Sequence, residues 1–183
     1  INPKSLSLIF SSAYPNNPAS IYGHTFLKVN RKEDGKDIRD FAVDFSAMTD
    51  TDSGLVFAMR GLFGGYVGQF ATKPYYMKVN EYISGESRDL WEYRLNFTEE
   101  ESIDVVLHLW ELRQNTFFDY YFFDENCSYQ ILTLLEAVRP HEEISTLEFF
   151  YTLPPETVKR VDKKNYVVES SPRPSLRKQL LWK

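Results

Sequence analysis

The sequence predicts an α+β fold, in which an antiparallel sheet packs against helices. Alternating apolar residues at 24–30 and 38–47 flank a charged turn that contains Gly35, an arrangement typical of a β-hairpin. Two helix starts follow in the second half of the chain, at Thr98 and Asn126, where a capping residue precedes the helical segment. A hairpin followed by separate helices predicts this fold class.

Length and composition limit the classes of function. The chain has 183 residues, a net charge of −5 and one cysteine, so it suits one domain with a hydrophobic core and cannot form an internal disulfide. An acidic chain without an arginine-rich segment does not attract phosphate backbones, and we expect no nucleic-acid partner. No apolar run is long enough to span a bilayer. Because the chain opens at Ile1, we expect a processed piece of a longer protein.

The first half of the chain is predicted to be mostly strands. Residues 5–12 form an apolar strand, and the prolines and asparagines of 14–20 indicate the loop that follows it. Residues 48–70 mix glycines with large apolar side chains, and we expect no regular element there. Residues 74–82 and 90–96 are predicted as two further strands.

The second half is predicted to be mostly helical. Thr98 caps a helix that runs to about Asn115, with three glutamates in its first turn. An aromatic block at 117–123 precedes a second helix at about 127–138, which Pro140 ends. A short helix after Pro154 and Pro155, a strand at 166–169 and a solvated basic tail at 173–183 complete the chain.

Cys127 is the candidate nucleophile. It directly follows Asn126 at the predicted start of a helix, where unpaired backbone N–H groups and the helix dipole favour a thiolate. Such a thiolate needs an imidazole within reach to hold the proton and return it. The alternative is a cysteine that only packs in the core.

His24 is the candidate base among three histidines. It lies at the start of a predicted strand, after a loop rich in proline and asparagine. His108 falls inside a predicted helix and His141 in a polar linker, so neither has a neighbourhood shaped for catalysis. The side chain that orients the imidazole is predicted on the returning strand, where Asp44 and Ser46 share one face. Asp44 is favoured, and Ser46 remains the alternative.

Metal and cofactor chemistry is not predicted. One cysteine and three scattered histidines have no spacing that zinc sites use, so we expect neither a metal nor a cofactor. The glycine-rich segment at 61–68 lacks the lysine that ends a phosphate-binding loop.

Five sequence blocks resemble the Lnb N-terminal periplasmic domain family, in the order in which the family has them. They are YGHTFL at 22–27, GLFGGY at 61–66, PYY at 74–76, RDLWEY at 88–93 and ENCSY at 125–129. The likeness covers about 5–140 and is loose beyond Pro140. We therefore expect a single domain over 1–183, with a core at about 5–140 and an extension at 141–183.

The resemblance implies a fold and an activity. The family is similar to circularly permuted papain-like enzymes of the NlpC and lecithin retinol acyltransferase type, so the resemblance implies Cys127 as nucleophile and His24 as base. It also implies an acyltransferase of the bacterial periplasm, associated with the membrane surface. Such an enzyme moves an acyl chain from a phospholipid donor to the N-terminal amine of a lipoprotein acceptor through a thioester. The predicted substrate-binding residues are Tyr22, Leu62, Phe63, Tyr66 and Asn126.

Two other functions remain open at this stage. The same dyad on an NlpC-type fold could cut amides in cell-wall peptides, and a polar open groove would favour that reading over an apolar tunnel lined by Leu62, Phe63 and Tyr66. A non-enzymatic binding module, with Cys127 packed in the core, is the third possibility.

Overall fold

A seven-stranded sheet forms the centre of the molecule. The structure is a computed structural model that describes residues 2–16, 20–31, 39–48, 54–121, 126–145 and 153–181. Within those residues the strands are β1 Ser5–Ser11, β2 His24–Asn30, β3 Phe41–Met48, β4 Tyr66–Pro74, β5 Leu90–Leu95, β6 Phe118–Tyr120 and β7 Val167–Arg173. Their order across the sheet is β6-β4-β3-β2-β1-β5-β7, and every neighbouring pair is antiparallel. The predicted α+β class with an antiparallel sheet is therefore confirmed.

Helices cover both faces of this sheet. They are α1 Gly54–Phe63, α2 Tyr75–Val79, α3 Glu99–Asn115, α4 Cys127–Glu136, α5 Pro154–Lys163 and α6 Leu176–Leu181, and α2 continues into a π-helical turn, Asn80–Gly85. The capping box that begins α3 is present, because Thr98 accepts from the Glu101 backbone N–H and the Glu101 carboxylate accepts from Thr98.

Two hydrophobic clusters lie on opposite faces, because successive side chains of a strand point to opposite sides. Leu27 and Val29 of β2 belong to the larger cluster, which also takes in α3, α4 and α5. Phe26, which directly precedes Leu27, belongs to the smaller cluster, which α2 and the π-helical turn cover. The helix that carries Cys127 and the short helix α2 therefore pack against different faces.

Residues beyond Pro140, predicted to be an extension of the domain, contribute to the hydrophobic core. Ile144, Val161 and Tyr166 are buried members of the larger cluster. β7 also extends the sheet by pairing with β5. The segment from 141 onward therefore contributes to the same core and sheet.

The prediction of a strand over 74–82 is wrong. The strand β4 ends at Pro74, which lacks the N–H that a sheet needs, and the chain turns directly into α2. Tyr75, Lys78 and Tyr82 are buried on one side of this segment, and their spacing of three and four residues is helical rather than alternating.

The glycine-rich segment 48–70 is more regular than predicted. It contains α1 and the first half of β4, joined by Gly64 and Gly65 at positive φ angles of 86° and 123°. Gly68 fits into β4 because a Cβ there would lie 2.3 Å from the Phe45 ring. Gly64 and Gly65 thus serve the connection and Gly68 one close contact, while Gly54 and Gly61 are accommodated within α1. The predicted turn at 31–36 lies almost wholly outside the described residues.

Candidate active site

Cys127 is the first residue of α4. The Asn126 side chain caps this helix, since its Oδ1 accepts from the backbone N–H groups of Ser128 at 2.9 Å and Tyr129 at 3.3 Å. The Thr25 hydroxyl donates to the Cys127 sulfur over 3.9 Å. Because Thr25 belongs to β2, this contact fixes the start of α4 against the strand that carries His24.

His24 begins β2, and a glycine makes room for it. Gly23 has a φ angle of 95°, and a Cβ there would lie 2.6 Å from the Ser11 carbonyl oxygen, so a larger residue would displace the strand start. The imidazole packs beside the rings of Phe26 and Tyr82, whose centroids lie 6.1 and 6.3 Å away and which stack on each other. The ring of His24 is therefore held in one orientation by its neighbours.

Asp44 is the residue that contacts His24. Its Oδ1 lies 2.6 Å from Nε2 of His24, and its Oδ2 lies 2.7 Å from the ammonium of Lys78. Since Nε2 is engaged, the ring nitrogen left for the Cys127 thiol is Nδ1. Ser46 lies on the same face of β3 but is exposed, and of the two predicted candidates it is Asp44 that reaches the imidazole.

The pKa values of these groups shift together. Burial lowers the pKa of His24, but the charges of Cys127 and Asp44 and hydrogen bonds to both raise it to about 10. Burial raises the pKa of Cys127, but the charge of His24 outweighs this and holds that pKa below its ordinary 9.0. Burial likewise raises the pKa of Asp44, yet His24 and then Lys78 hold it well below its ordinary range. The arrangement favours a thiolate and an imidazolium beside an ionised carboxylate.

The burial of Cys127 also agrees with the alternative of a packing thiol. The residue is 4% exposed and belongs to the larger hydrophobic cluster. A cysteine that only fills space, however, would have a raised pKa, because burial in apolar surroundings disfavours the thiolate. His24 beside Cys127 opposes that effect and lowers the pKa of the thiol.

A polar cavity of about 330 Å³ opens beside His24. Its lining residues are Ser20, His24, Asp44, Phe45, Ser46, Ala47, Lys73, Lys78, Glu81, Tyr82, Glu86, Arg88 and Tyr120. Charged side chains of both signs make up much of this wall. The predicted apolar tunnel of Leu62, Phe63 and Tyr66 does not line it.

The other predicted substrate-binding residues have different surroundings. Tyr22 is about half exposed in the turn before His24, and Asn126 is buried as the helix cap. Leu62 and Phe63 are exposed at the end of α1, with Phe63 at 76%. Tyr66 is buried in the larger cluster, because the alternation of β4 points it into the core.

The remaining histidines stay outside this group. His108 is half-buried on α3 and lies 3.7 Å from Glu111, and His141 is exposed after Pro140. Within the described part of the chain, no three His, Cys, Asp or Glu side chains come together in a way that would hold a metal ion.

Three residues near the site were missed by the sequence analysis. Lys78 reaches Asp44, Tyr82 packs on His24, and the charges of Cys127 and Asp44 both act on buried Tyr120. Lys78 and Tyr82 belong to the segment predicted as a strand, and their four-residue separation was the available signal for a helix. Tyr120 carried no local signal that separated it from the other aromatic residues around it.

Comparison with known families shows one match. The family described as the Lnb N-terminal periplasmic domain matches residues 1–164. No curated protein matches the chain, and no solved structure does. The match covers all the residues of the candidate site.

Proposed function

This chain belongs to the Lnb N-terminal periplasmic domain family, and from that membership and the site geometry we propose that it is a thiol-dependent acyltransferase with a papain-like catalytic core. The observation that carries the proposal is the contact series from Cys127 through His24 to Asp44 at the start of α4. The periplasmic family supports a location in the periplasm. Among the described residues, the helices are too short or too polar to cross a membrane.

The proposed reaction has two steps. The Cys127 thiolate attacks the carbonyl carbon of an acyl ester, the C–O bond breaks, and the imidazolium of His24 protonates the departing alkoxide. The product is a thioester on Cys127. An amine then attacks that thioester, the C–S bond breaks, and His24 takes the proton from the amine as the thiolate returns.

The first turn of α4 offers a backbone donor for the oxyanion. Asn126 already occupies the N–H groups of Ser128 and Tyr129, and the N–H of Gln130 donates to the Asn126 carbonyl. Among the described residues, no acceptor takes the N–H of Cys127. That group is therefore the backbone donor best placed for a negative oxygen forming on a carbon bonded to the sulfur.

An exposed apolar side of α1 supports a phospholipid as the acyl donor. Val56, Met59, Leu62 and Phe63 are all more than two-fifths exposed, and their spacing of three and four residues places them along one side of the helix. α1 leads into β4 beside Met48, at the end of β3 that lies nearest to His24. Apolar side chains exposed near the site suit contact with a membrane surface. The acceptor we propose is the N-terminal amine of a lipoprotein.

The polar cavity supports a second candidate function. A cysteine peptidase or amidase that acts on cell-wall peptides would need a polar groove beside its base, and the cavity at His24 is polar and charged. In the acyltransferase, the same cavity would receive the amine acceptor. The two functions differ in the acyl group that Cys127 receives.

Intact mass after incubation with phospholipid vesicles tests the primary proposal. We expect an increase of one acyl chain that hydroxylamine removes, because hydroxylamine cleaves thioesters. Cys127→Ala should show no such increase, and the exposed Ser46→Ala, which leaves the sulfur intact, should retain it. Release of fragments from purified wall peptide without any lipid adduct would overturn the acyltransferase in favour of the amidase. If neither product forms and the native thiol resists alkylation, both the acyltransferase and the amidase are overturned.

A further inference from the structure

Lys78 is a buried lysine whose place in the site no motif indicated. It is 3% exposed, and its ammonium lies 2.7 Å from Oδ2 of Asp44. The other oxygen of Asp44 contacts His24 at 2.6 Å. Both oxygens of the carboxylate are therefore occupied, one by the imidazole and one by the lysine. Taking an ammonium group out of water is unfavourable unless a partner compensates, and Asp44 is that partner for Lys78.

The surroundings of Lys78 fix its side chain toward Asp44. It extends from α2 on the sheet face opposite α4, and its ammonium lies 5.2 Å from the centroid of the Tyr82 ring. Tyr82 in turn packs against His24. Glu81 is the second acid near the ammonium, at 3.6 Å, and is partly exposed. The shorter contact with the more buried Asp44 is thus the dominant one.

We propose that Lys78 is a positioning residue that acts through Asp44, fixing the carboxylate against His24 and cancelling its negative charge toward the Cys127 thiolate. The proposal rests on the function proposed above, because it assigns a role within the same Cys127–His24 pair. Lys78 adds to that site a residue of α2. This helix packs on the sheet face opposite α4, which carries Cys127.

The charges around the thiol explain why this cancellation matters. His24 lowers the pKa of Cys127, whereas the negative charge of Asp44 raises it. A carboxylate that orients the imidazole therefore also opposes the thiolate. A cation bound to the far oxygen of Asp44 reduces that opposition and leaves the hydrogen bond to His24 in place.

Other titratable groups face the same site. Tyr82 packs on the imidazole, and Tyr120 lies near both charges, with burial and then the charge of Cys127 raising its pKa. Burial and then the charge of Asp44 raise the pKa of Tyr82 as well, so both phenols stay neutral at physiological pH. Glu86 and Arg88 pair with each other on the cavity wall. Lys73 lines the same cavity as Asp44. Among the described residues, the cations paired with Asp44 are His24 and Lys78.

Lys28 offers a matched control for a purely structural lysine. It is 5% exposed and lies between Glu92 at 2.9 Å and Asp40 at 3.4 Å. It belongs to β2, as His24 does, but its carboxylate partners do not contact the imidazole. Replacing either lysine with methionine leaves buried carboxylates without their cation and should destabilise the fold.

The pH profile of Cys127 alkylation by iodoacetamide tests the proposal without any substrate. For Lys78→Met we expect the midpoint to rise by about one pH unit, which lowers the rate at pH values below the midpoint about tenfold. Lys28→Met should keep the wild-type midpoint despite its lower melting temperature. Lys78→Gln keeps an N–H donor without the charge, and we expect an intermediate rise.

A double-variant comparison separates action through Asp44 from action on the fold. In an Asp44→Asn background, Lys78→Met should change the midpoint no further, because the charge that it cancels is gone. An equal shift in both backgrounds would overturn the proposal, as would a wild-type midpoint in Lys78→Met. Should Lys78→Met fail to fold, an unchanged midpoint in Lys78→Gln would overturn it. Failure of the proposed function is a separate result, since it means no thioester in the wild type whatever the midpoints are.

Discussion

Asn126 offers the most direct test of how the start of α4 is built. Its side chain accepts from two backbone N–H groups, those of Ser128 and Tyr129, and it is itself buried. Replacing an asparagine cap with alanine costs about 0.5–2 kcal/mol, and the upper half of that range applies because the donors lose their partner in a buried place. For a chain of this length, about 1–2 kcal/mol corresponds to a melting temperature lower by about 2–8 °C.

Thermal unfolding followed by circular dichroism measures this effect. Thr98→Ala is the matched control, because it removes the cap of α3 in an exposed place, and we expect a smaller decrease for it. If Asn126→Ala unfolds at the wild-type temperature while Thr98→Ala does not, the account of the cap is wrong. Asn126→Asp keeps an oxygen acceptor but adds a negative charge beside Cys127, so we expect slower alkylation of the folded variant at neutral pH.

Three further outcomes follow from the contacts described. For wild-type Cys127 we expect an alkylation midpoint below pH 9, because His24 keeps its proton up to about pH 10 and lowers the pKa of the thiol. In His24→Ala the midpoint should rise, since burial and the charge of Asp44 then raise the pKa of the thiol without opposition from the imidazolium, and a midpoint at the wild-type value would contradict the pairing. Gly68→Ala should lower stability by about 1–3 kcal/mol in denaturant unfolding, because its Cβ would lie 2.3 Å from the Phe45 ring; unchanged stability would show that the ring can move away. Phe63→Ser should weaken co-sedimentation with phospholipid vesicles without changing the melting temperature, because the side chain is exposed, whereas equal co-sedimentation would remove α1 from the membrane contact.

Local sequence patterns predicted those parts of the fold that depend on a few neighbouring residues. The cap at Thr98, the helix beginning at Cys127 and the strand beginning at His24 were all predicted and are confirmed by the structure. Each depends on a side chain that bonds to the next turn or on alternation within one strand. The family resemblance is confirmed as well.

Where a sequence pattern fits two kinds of secondary structure, packing determined which one forms. The segment 74–82 is rich in Tyr, which strands favour, but Pro74 ends the ladder and Lys78 is buried against Asp44 on the helix that follows. In 48–70, Gly64 and Gly65 directly follow α1 and Gly68 lies opposite one aromatic ring, a distribution that the sequence does not distinguish from an irregular segment.

The sequence by itself determined the chemistry available to this protein: one thiol after a capping asparagine, a histidine at the start of a strand, and a carboxylate on the strand paired with it. Only the tertiary structure decided which of these groups meet. Thr25 and Cys127 come into contact although 102 residues separate them, and Lys78 reaches Asp44 on the sheet face opposite α4. Such contacts depend on the register of strands and the packing of helices over the whole chain, whereas caps and alternation depend on neighbours a few residues away.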